Sequence, residues 1–209
     1  MLEEYHKIET MFERDHKTKK LIEDKFINEE LEFLKDLTWQ FTEKIDGTNT
    51  RIYWDGNKVS FFGKSNDSAI PSGLVNRLVE LFGGEKNEQL FEQKFGKTQI
   101  ILFGEGYGKN IQTGGSYKDT QDFILFDVSI SGNFQPRESI ENIAEYFGID
   151  VVPIVLEGTL KDGIEFVKTN PKSTIGTAQM EGVVGRPKVE LKSRTGDRII
   201  VKIKSRDFD

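Results

Sequence analysis

Lys44 stands in the segment Glu43-Lys44-Ile45-Asp46-Gly47-Thr48-Asn49, at the end of a strand-like run and just before a turn glycine. A lysine there has two readings, a solvated side chain or a nucleophilic amine. An ordinary lysine has a pKa of about 10.4 and is protonated at neutral pH. It becomes nucleophilic only where desolvation or nearby cations favour the neutral form. The end of the chain offers such cations. In Ile199-Ile200-Val201-Lys202-Ile203-Lys204, Lys202 and Lys204 are two apart and share one face of a strand, while Val201 and Ile203 take the other. Two ammonium groups on one half-buried face repel each other unless an anion such as a phosphate lies opposite. The alternative is a solvated edge strand.

Two carboxylates complete the set. Glu181 opens the apolar run Met180-Glu181-Gly182-Val183-Val184, and Glu105 closes another in Phe103-Gly104-Glu105. Carboxylates at strand ends can take a ribose hydroxyl or a divalent metal. Phe126, in Phe123-Ile124-Leu125-Phe126-Asp127, could stack on a base or simply fill a core. Two phosphate-loop signals fail on spacing. Gly63-Lys64-Ser65 lacks the glycine that a P-loop needs at 58, where Lys58 stands. Gly104-Glu105-Gly106 lacks the third glycine of a dinucleotide loop at 109, where Lys109 stands.

The elements that must hold these residues are mostly strands. Residues 38–45, 51–54, 59–63, 98–105, 122–130, 151–155, 180–186, 188–194 and 198–206 read as strands. Residues 17–35, 72–82, 86–95, 136–147 and 160–168 read as helices. Asp55-Gly56-Asn57 signals a tight hairpin, Pro136 a helix start and Gly148 a helix end. Strands joined by tight turns argue α+β with largely antiparallel sheets and flanking helices, not a doubly wound parallel sheet. Residues 106–121 form one long, Gly-rich polar loop, which in a compact domain is functional or mobile.

Composition bounds the answer. The 209 residues carry 36% apolar and 11% aromatic residues, enough for a substantial core and too many for a disordered chain. No apolar run is long enough to span a membrane, and the acidic start is no secretory signal. Cysteine is absent, which excludes disulfides, thiolate metal sites and cysteine nucleophiles, and a cytoplasmic location is expected. The net charge of −6 hides an asymmetry. Residues 186–206 hold eight Lys and Arg against two acids, a local anion-binding end or a solvated strand pair.

Taken in order, Lys44-Ile45-Asp46-Gly47, Phe103-Gly104-Glu105, Phe126-Asp127, Glu181-Gly182-Val183-Val184 and Lys202-Ile203-Lys204 resemble the nucleotidyltransferase motifs of covalent ligases and RNA capping enzymes. The chain looks most like the phage-type ATP-dependent RNA ligases of the RNA ligase 2 family, over about residues 40–206. The resemblance implies an α+β adenylyltransferase domain of the ATP-grasp-like ligase kind, with a nucleotide cleft. It makes residues 1–209 a single domain, with a helical segment 1–37 before a catalytic core 38–206, and no C-terminal nucleic-acid-binding domain. ATP as AMP donor and Mg²⁺ or Mn²⁺ are the implied cofactors. RNA ends, single-stranded or nicked, are the implied partners, with a partner protein supplying extra grip and no membrane involved. The implied reaction joins an RNA 5′-phosphate to a 3′-hydroxyl through a lysyl-AMP. Lys44 is then the nucleophile. Lys202 and Lys204 hold the phosphate, Glu105 a ribose hydroxyl, and Phe126 stacks on adenine. Glu43 lies near the base, and Glu181 with Asp46 places the metal. Lys64 takes a downstream phosphate or ribose contact that other members give to Arg. Asp127 is structural or reaches toward the RNA end. A small DNA ligase or a capping guanylyltransferase shares this chemistry. A catalytically inactive nucleic-acid-binding module is the rival of another class.

Overall fold

A computed structural model describes residues 2–18, 20–113 and 116–208. In chain order its elements are β1 (Glu9–Thr10), β2 (Phe12–Arg14), β3 (Leu21–Phe26), α1 (Glu29–Leu34), β4 (Trp39–Glu43), β5 (Thr48–Trp54) and β6 (Val59–Phe62). Then come α2 (Ser72–Phe82), α3 (Glu85–Phe95), β7 (Ile100–Tyr107), β8 (Asp122–Ile130), β9 (Asn133–Phe134), α4 (Arg137–Phe147) and β10 (Asp150–Val151). The chain ends with β11 (Ile154–Gly158), α5 (Leu160–Lys168), β12 (Gly182–Pro187) and β13 (Val201–Lys204). Within the expected single domain, two compact units divide the chain: Met1–Tyr5 with Asp46–Val152, and His6–Ile45 with Pro153–Asp209.

The unit that includes Lys44 is built on a five-stranded sheet of order β1-β13-β12-β4-β11. Its pairs are antiparallel except β1 on β13. Strand alternation sends Trp39 and Phe41 of β4, Val183 of β12 and Val201 and Ile203 of β13 into one core, which α5 covers with Leu160, Ile164 and Val167. Trp39 and Phe41 are fully buried. Burying each contributes about 1.5–3 kcal/mol, and this anchors β4 in register. α5 starts on a capping box, Thr159 with Asp162, as a polar residue before an apolar helix face should.

The other unit carries a six-stranded sheet, β10-β8-β7-β5-β6 with β9 on the side of β8. α2, α3 and α4 bury Leu74, Leu78, Phe82, Phe91, Ile140 and Ile143 against the face formed by Ile52, Trp54, Leu102 and Val128. The opposite face carries Asn49, Arg51, Phe103, Glu105 and Asp127. Gly148 ends α4 in the left-handed region, φ 63°, as its place after Phe147 predicts.

Two expectations give way. The helix expected over 17–35 is a hairpin followed by one short helix. Asp15 Oδ1 accepts from the Lys17 and Thr18 amides and closes a turn, so β2 and β3 pair, with the Phe12 and Phe26 rings 5.1 Å apart. Helix starts only at Asn28, whose side chain caps the Leu31 amide at 2.8 Å. The strand expected over 188–194 is reduced to a bridge between Lys192 and Arg198, because Ser193, Thr195 and Asp197 bond one another in a tight turn.

Candidate active site

The first group of site residues belongs to the five-stranded sheet. Lys44 follows β4, and its amide donates to the Gly182 carbonyl at 2.9 Å. Across β12, Gly182 pairs with Lys204 and Val184 with Lys202. These register positions put Lys44, Lys202 and Lys204 on the face opposite the core. Glu181 closes the group. Its Oε2 lies 2.5 Å from Lys44 Nζ and its Oε1 2.7 Å from Lys204 Nζ. Lys44, Glu181 and Lys204 side chains are 25, 17 and 15% exposed, so the pairs sit in a partly desolvated recess. Burial first, then the charges of Lys204 and Lys44, hold Lys202 below the ordinary lysine pKa. Two cations thus share one carboxylate, and Lys202 feels the charge of both. The paired cations expected from the sequence are present, but the group touching the Lys44 amine is Glu181.

Gly182 makes this arrangement possible. Its φ is +149°, and a β-carbon there would overlap the Ile203 carbonyl oxygen. Gly182→Ala is expected to push β12 off β13, displace Glu181, and lower both melting temperature and nucleotide-dependent activity. Unchanged melting and activity would contradict this role.

Glu43, expected near the base, is held inside the protein. It precedes Lys44 on a strand, so it points to the opposite face and is 1% exposed. Its Oε1 accepts from Ser173 Oγ at 2.5 Å, and its Oε2 from the Thr174 amide at 2.9 Å and Thr174 Oγ1 at 2.6 Å. The carboxylate fastens the loop ahead of β12.

The second group belongs to the six-stranded sheet. Glu105 on β7 pairs directly with Asn49 on β5, so both project from one face. Asn49 Oδ1 is buried with no hydrogen-bond partner among the described residues. Composition gave no sign of Asn49, although its place five residues after Lys44 in the same segment was a usable signal. Phe126 is half-buried. It occupies the extra position of a β-bulge, since Phe103 pairs with Asp127 while Gly104 pairs with Leu125. A bulge takes its residue out of the regular alternation and re-aims it. Asp127 is fully buried and accepts from the Tyr5 hydroxyl at 2.7 Å. Lys64 is exposed on the loop after β6. That loop is held by Arg51, which sequence reading passed over. Arg51 is fully buried, and its guanidinium donates to the Gly63 carbonyl at 2.9 Å, the Glu3 carbonyl at 2.8 Å and Asn66 Oδ1 at 3.1 Å. Burial holds its pKa below the ordinary value.

Asp46, expected to ligate metal, accepts from the Thr113 hydroxyl and amide through Oδ2. With buried Ile111 and Tyr117, it fastens the long loop 106–121. Among the described residues no three His, Cys, Asp or Glu side chains cluster as a metal cage. The basic end is partly paired internally. Lys188 meets Glu157 at 2.8 Å and Arg198 meets Glu190 at 2.7 Å, while Lys192, Arg194 and Arg206 are exposed. No helix among the described residues is long and apolar enough to cross a membrane.

Residues 37–204 match the model of the family described as RNA ligase. A search of curated proteins finds no match. Among solved structures, the Naegleria gruberi RNA ligase is similar in several forms. An alanine mutant with ATP and Mn shares 18% identity at a TM-score of 0.63, over 86% of this chain and 52% of that one. A methionine mutant with AMP and Mn shares 18% at 0.64, over 86% and 53%. A form with PPi shares 19% at 0.63, over 86% and 52%. The chain thus spans about half the length of these solved relatives. The likeness shows a common fold.

Proposed function

The chain belongs to the RNA ligase family, and from that premise we propose that it joins RNA ends at the cost of ATP, through an AMP carried on Lys44. The observation that carries this is the double ion pair in which Glu181 holds both Lys44 and Lys204. It sets a primary amine beside two further cations, as attack on a phosphate requires. The Naegleria structures with ATP, AMP and PPi support the same reading by analogy.

In the first step Lys44 Nζ bonds to the α-phosphorus of ATP. The bond from that phosphorus to the oxygen bridging to the β-phosphate breaks, and pyrophosphate leaves. The amine gives up its proton for this, and Glu181 is the nearest group able to receive it. The AMP then passes to an RNA 5′-phosphate. A 3′-hydroxyl attacks that activated end and AMP is released. Each step gathers charge on non-bridging oxygens, so catalysis is chiefly positioning and electrostatics. Lys202 and Lys204 supply the positive charge. Glu105 and Asn49 take the ribose hydroxyls, and the orphaned Asn49 oxygen then gains a partner. Phe126 stacks on adenine, and Lys64 meets a phosphate or the ribose. Glu43 and Asp46 act at one remove, by fastening the loops that Ser173 and Thr113 belong to.

Mg²⁺ or Mn²⁺ bound to the ATP phosphates would neutralise charge there. Mg²⁺ commonly rests on one or two carboxylates plus substrate phosphates, and Glu181 fits that need. RNA contacts fall to exposed Lys192, Arg194, Arg206 and Lys109, and should weaken steeply with salt. Added grip from a further module or partner protein belongs to the same proposal.

Incubation with Mg²⁺ and each radiolabelled nucleotide in turn tests the reading. ATP is expected to label the protein in an acid-labile, alkali-stable bond, and the labelled protein to seal RNA ends. Labelling by GTP would indicate a guanylyltransferase. Efficient sealing of all-DNA nicks would indicate a DNA ligase. RNA binding without any labelling would indicate an inactive module.

A further inference from the structure

The N-terminal residues of the Asp46–Val152 unit do not trail away from it. Leu2–Tyr5 is strapped to the sheet face that carries Phe126 and Glu105. Arg51 Nη1 donates to the Glu3 carbonyl at 2.8 Å, Asn66 Nδ2 to the Leu2 carbonyl at 3.4 Å, and the Asn66 amide to Glu4 Oε1 at 3.3 Å. The strap delivers the Tyr5 ring onto three phenylalanines. Its centroid lies 5.0 Å from Phe126 at 76°, 5.0 Å from Phe103 at 59°, and 5.9 Å from Phe134 at 88°. Tilted and edge-on contacts of this kind are the favoured geometry of aromatic pairs, and they fix ring orientation as well as position. The hydroxyl then donates to Asp127 Oδ2 at 2.7 Å, while Asp127 Oδ1 accepts from the Val128 amide at 3.1 Å. One side chain thus pins both residues of the bulge, ring on Phe126 and hydroxyl on Asp127. A bulge residue lacks the ladder partner that would otherwise set its direction.

We propose that Tyr5 is a positioning residue that sets the Phe126 ring for stacking on the adenine. This rests on the reading of Phe126 as the base platform given above. In this reading Tyr5 acts on the nucleotide through the Phe126 ring, so its effect should appear on the base and not on the phosphates. That separates positioning from a general structural role. Self-adenylylation is measured against ATP concentration, with pyrophosphate inhibition as the base-free probe of the lysine cluster. For Tyr5→Ala the KM for ATP is expected to rise about tenfold, with kcat and the inhibition constant of pyrophosphate unchanged. Tyr5→Phe keeps the ring and loses only the bond to Asp127, and should show a smaller rise in KM. If Tyr5→Ala fails to melt cooperatively, Tyr5→Leu fills the space without an aromatic edge and should show the same KM effect. An unchanged KM in a folded Tyr5→Ala or Tyr5→Leu protein overturns the proposal. A parallel loss of ATP affinity, pyrophosphate affinity and kcat also overturns it, since that marks general distortion. A wild-type protein that takes up no AMP overturns the functional reading and this inference with it. A wild type that labels, beside a Tyr5→Ala variant of unaltered KM, overturns this inference alone.

Discussion

Lys44→Ala is expected to form no covalent AMP adduct at any ATP concentration, while keeping its melting temperature close to that of the wild type. Lys44 is about one-quarter exposed and lies on the face of β4 away from the Trp39 and Phe41 core, so its loss leaves that packing intact. The amine is nonetheless the only part of the reaction that no neighbour can replace. Lys202 and Lys204 are held by β13 to different rungs, and neither takes the place of a side chain whose backbone amide is fixed by the Gly182 carbonyl and whose amine is fixed by Glu181. Gel detection of the labelled protein checks this. A labelled Lys44→Ala protein would place the nucleophile elsewhere.

Lys204→Ala and Lys202→Ala are each expected to slow self-adenylylation by at least ~10²-fold, the usual cost of removing one electrostatic donor from a transition state. The two losses should differ in kind. Lys204 shares Glu181 with Lys44, so its removal leaves the carboxylate to Lys44 alone and tightens that pair against attack. Lys204→Arg restores charge but not the compact ammonium, and should recover only part of the rate. Lys202 acts through charge, and its depressed pKa gives it a pH signature. As pH rises, Lys202 loses its proton before an ordinary lysine would. ATP binding to the Lys44→Ala protein, measured by calorimetry, should therefore weaken within the alkaline range below pH ~10.4. Lys202→Ala in the same background should remove that early weakening. Binding that stays flat across that range, or rates within a few-fold of wild type, would remove Lys202 from the phosphate site.

The strand that leads to Lys44 was legible because its alternation is regular. Trp39, Phe41 and Glu43 face one way, and the same rule separates Val201 and Ile203 from Lys202 and Lys204. The same rule, applied to Glu43, turns its carboxylate to the buried face, where Ser173 and Thr174 hold it. The long helices were legible through their ends, Pro136 and Gly148 around α4 being the clearest case. Residues 17–35 were not, because Leu21, Phe26 and Leu31 can be placed on a helix face, and only the turn at Asp15 shows that the chain doubles back. The bulge at Phe126 leaves no local mark at all. It comes from the register between β7 and β8, a property of two segments together. Asp46 entered as a metal ligand through the resemblance to covalent ligases. Its partner Thr113 is far away in the chain, and the hydrogen bond between them required the fold.

The most direct test is to digest the protein after incubation with ATP and Mg²⁺ and to locate the added AMP by mass spectrometry. The expected result is one modified site, Lys44, in a phosphoamide that survives alkali and is lost in acid. AMP on any other residue, or a wild-type protein that remains unmodified under conditions where it stays folded, would contradict the assignment of this amine as the ligase nucleophile.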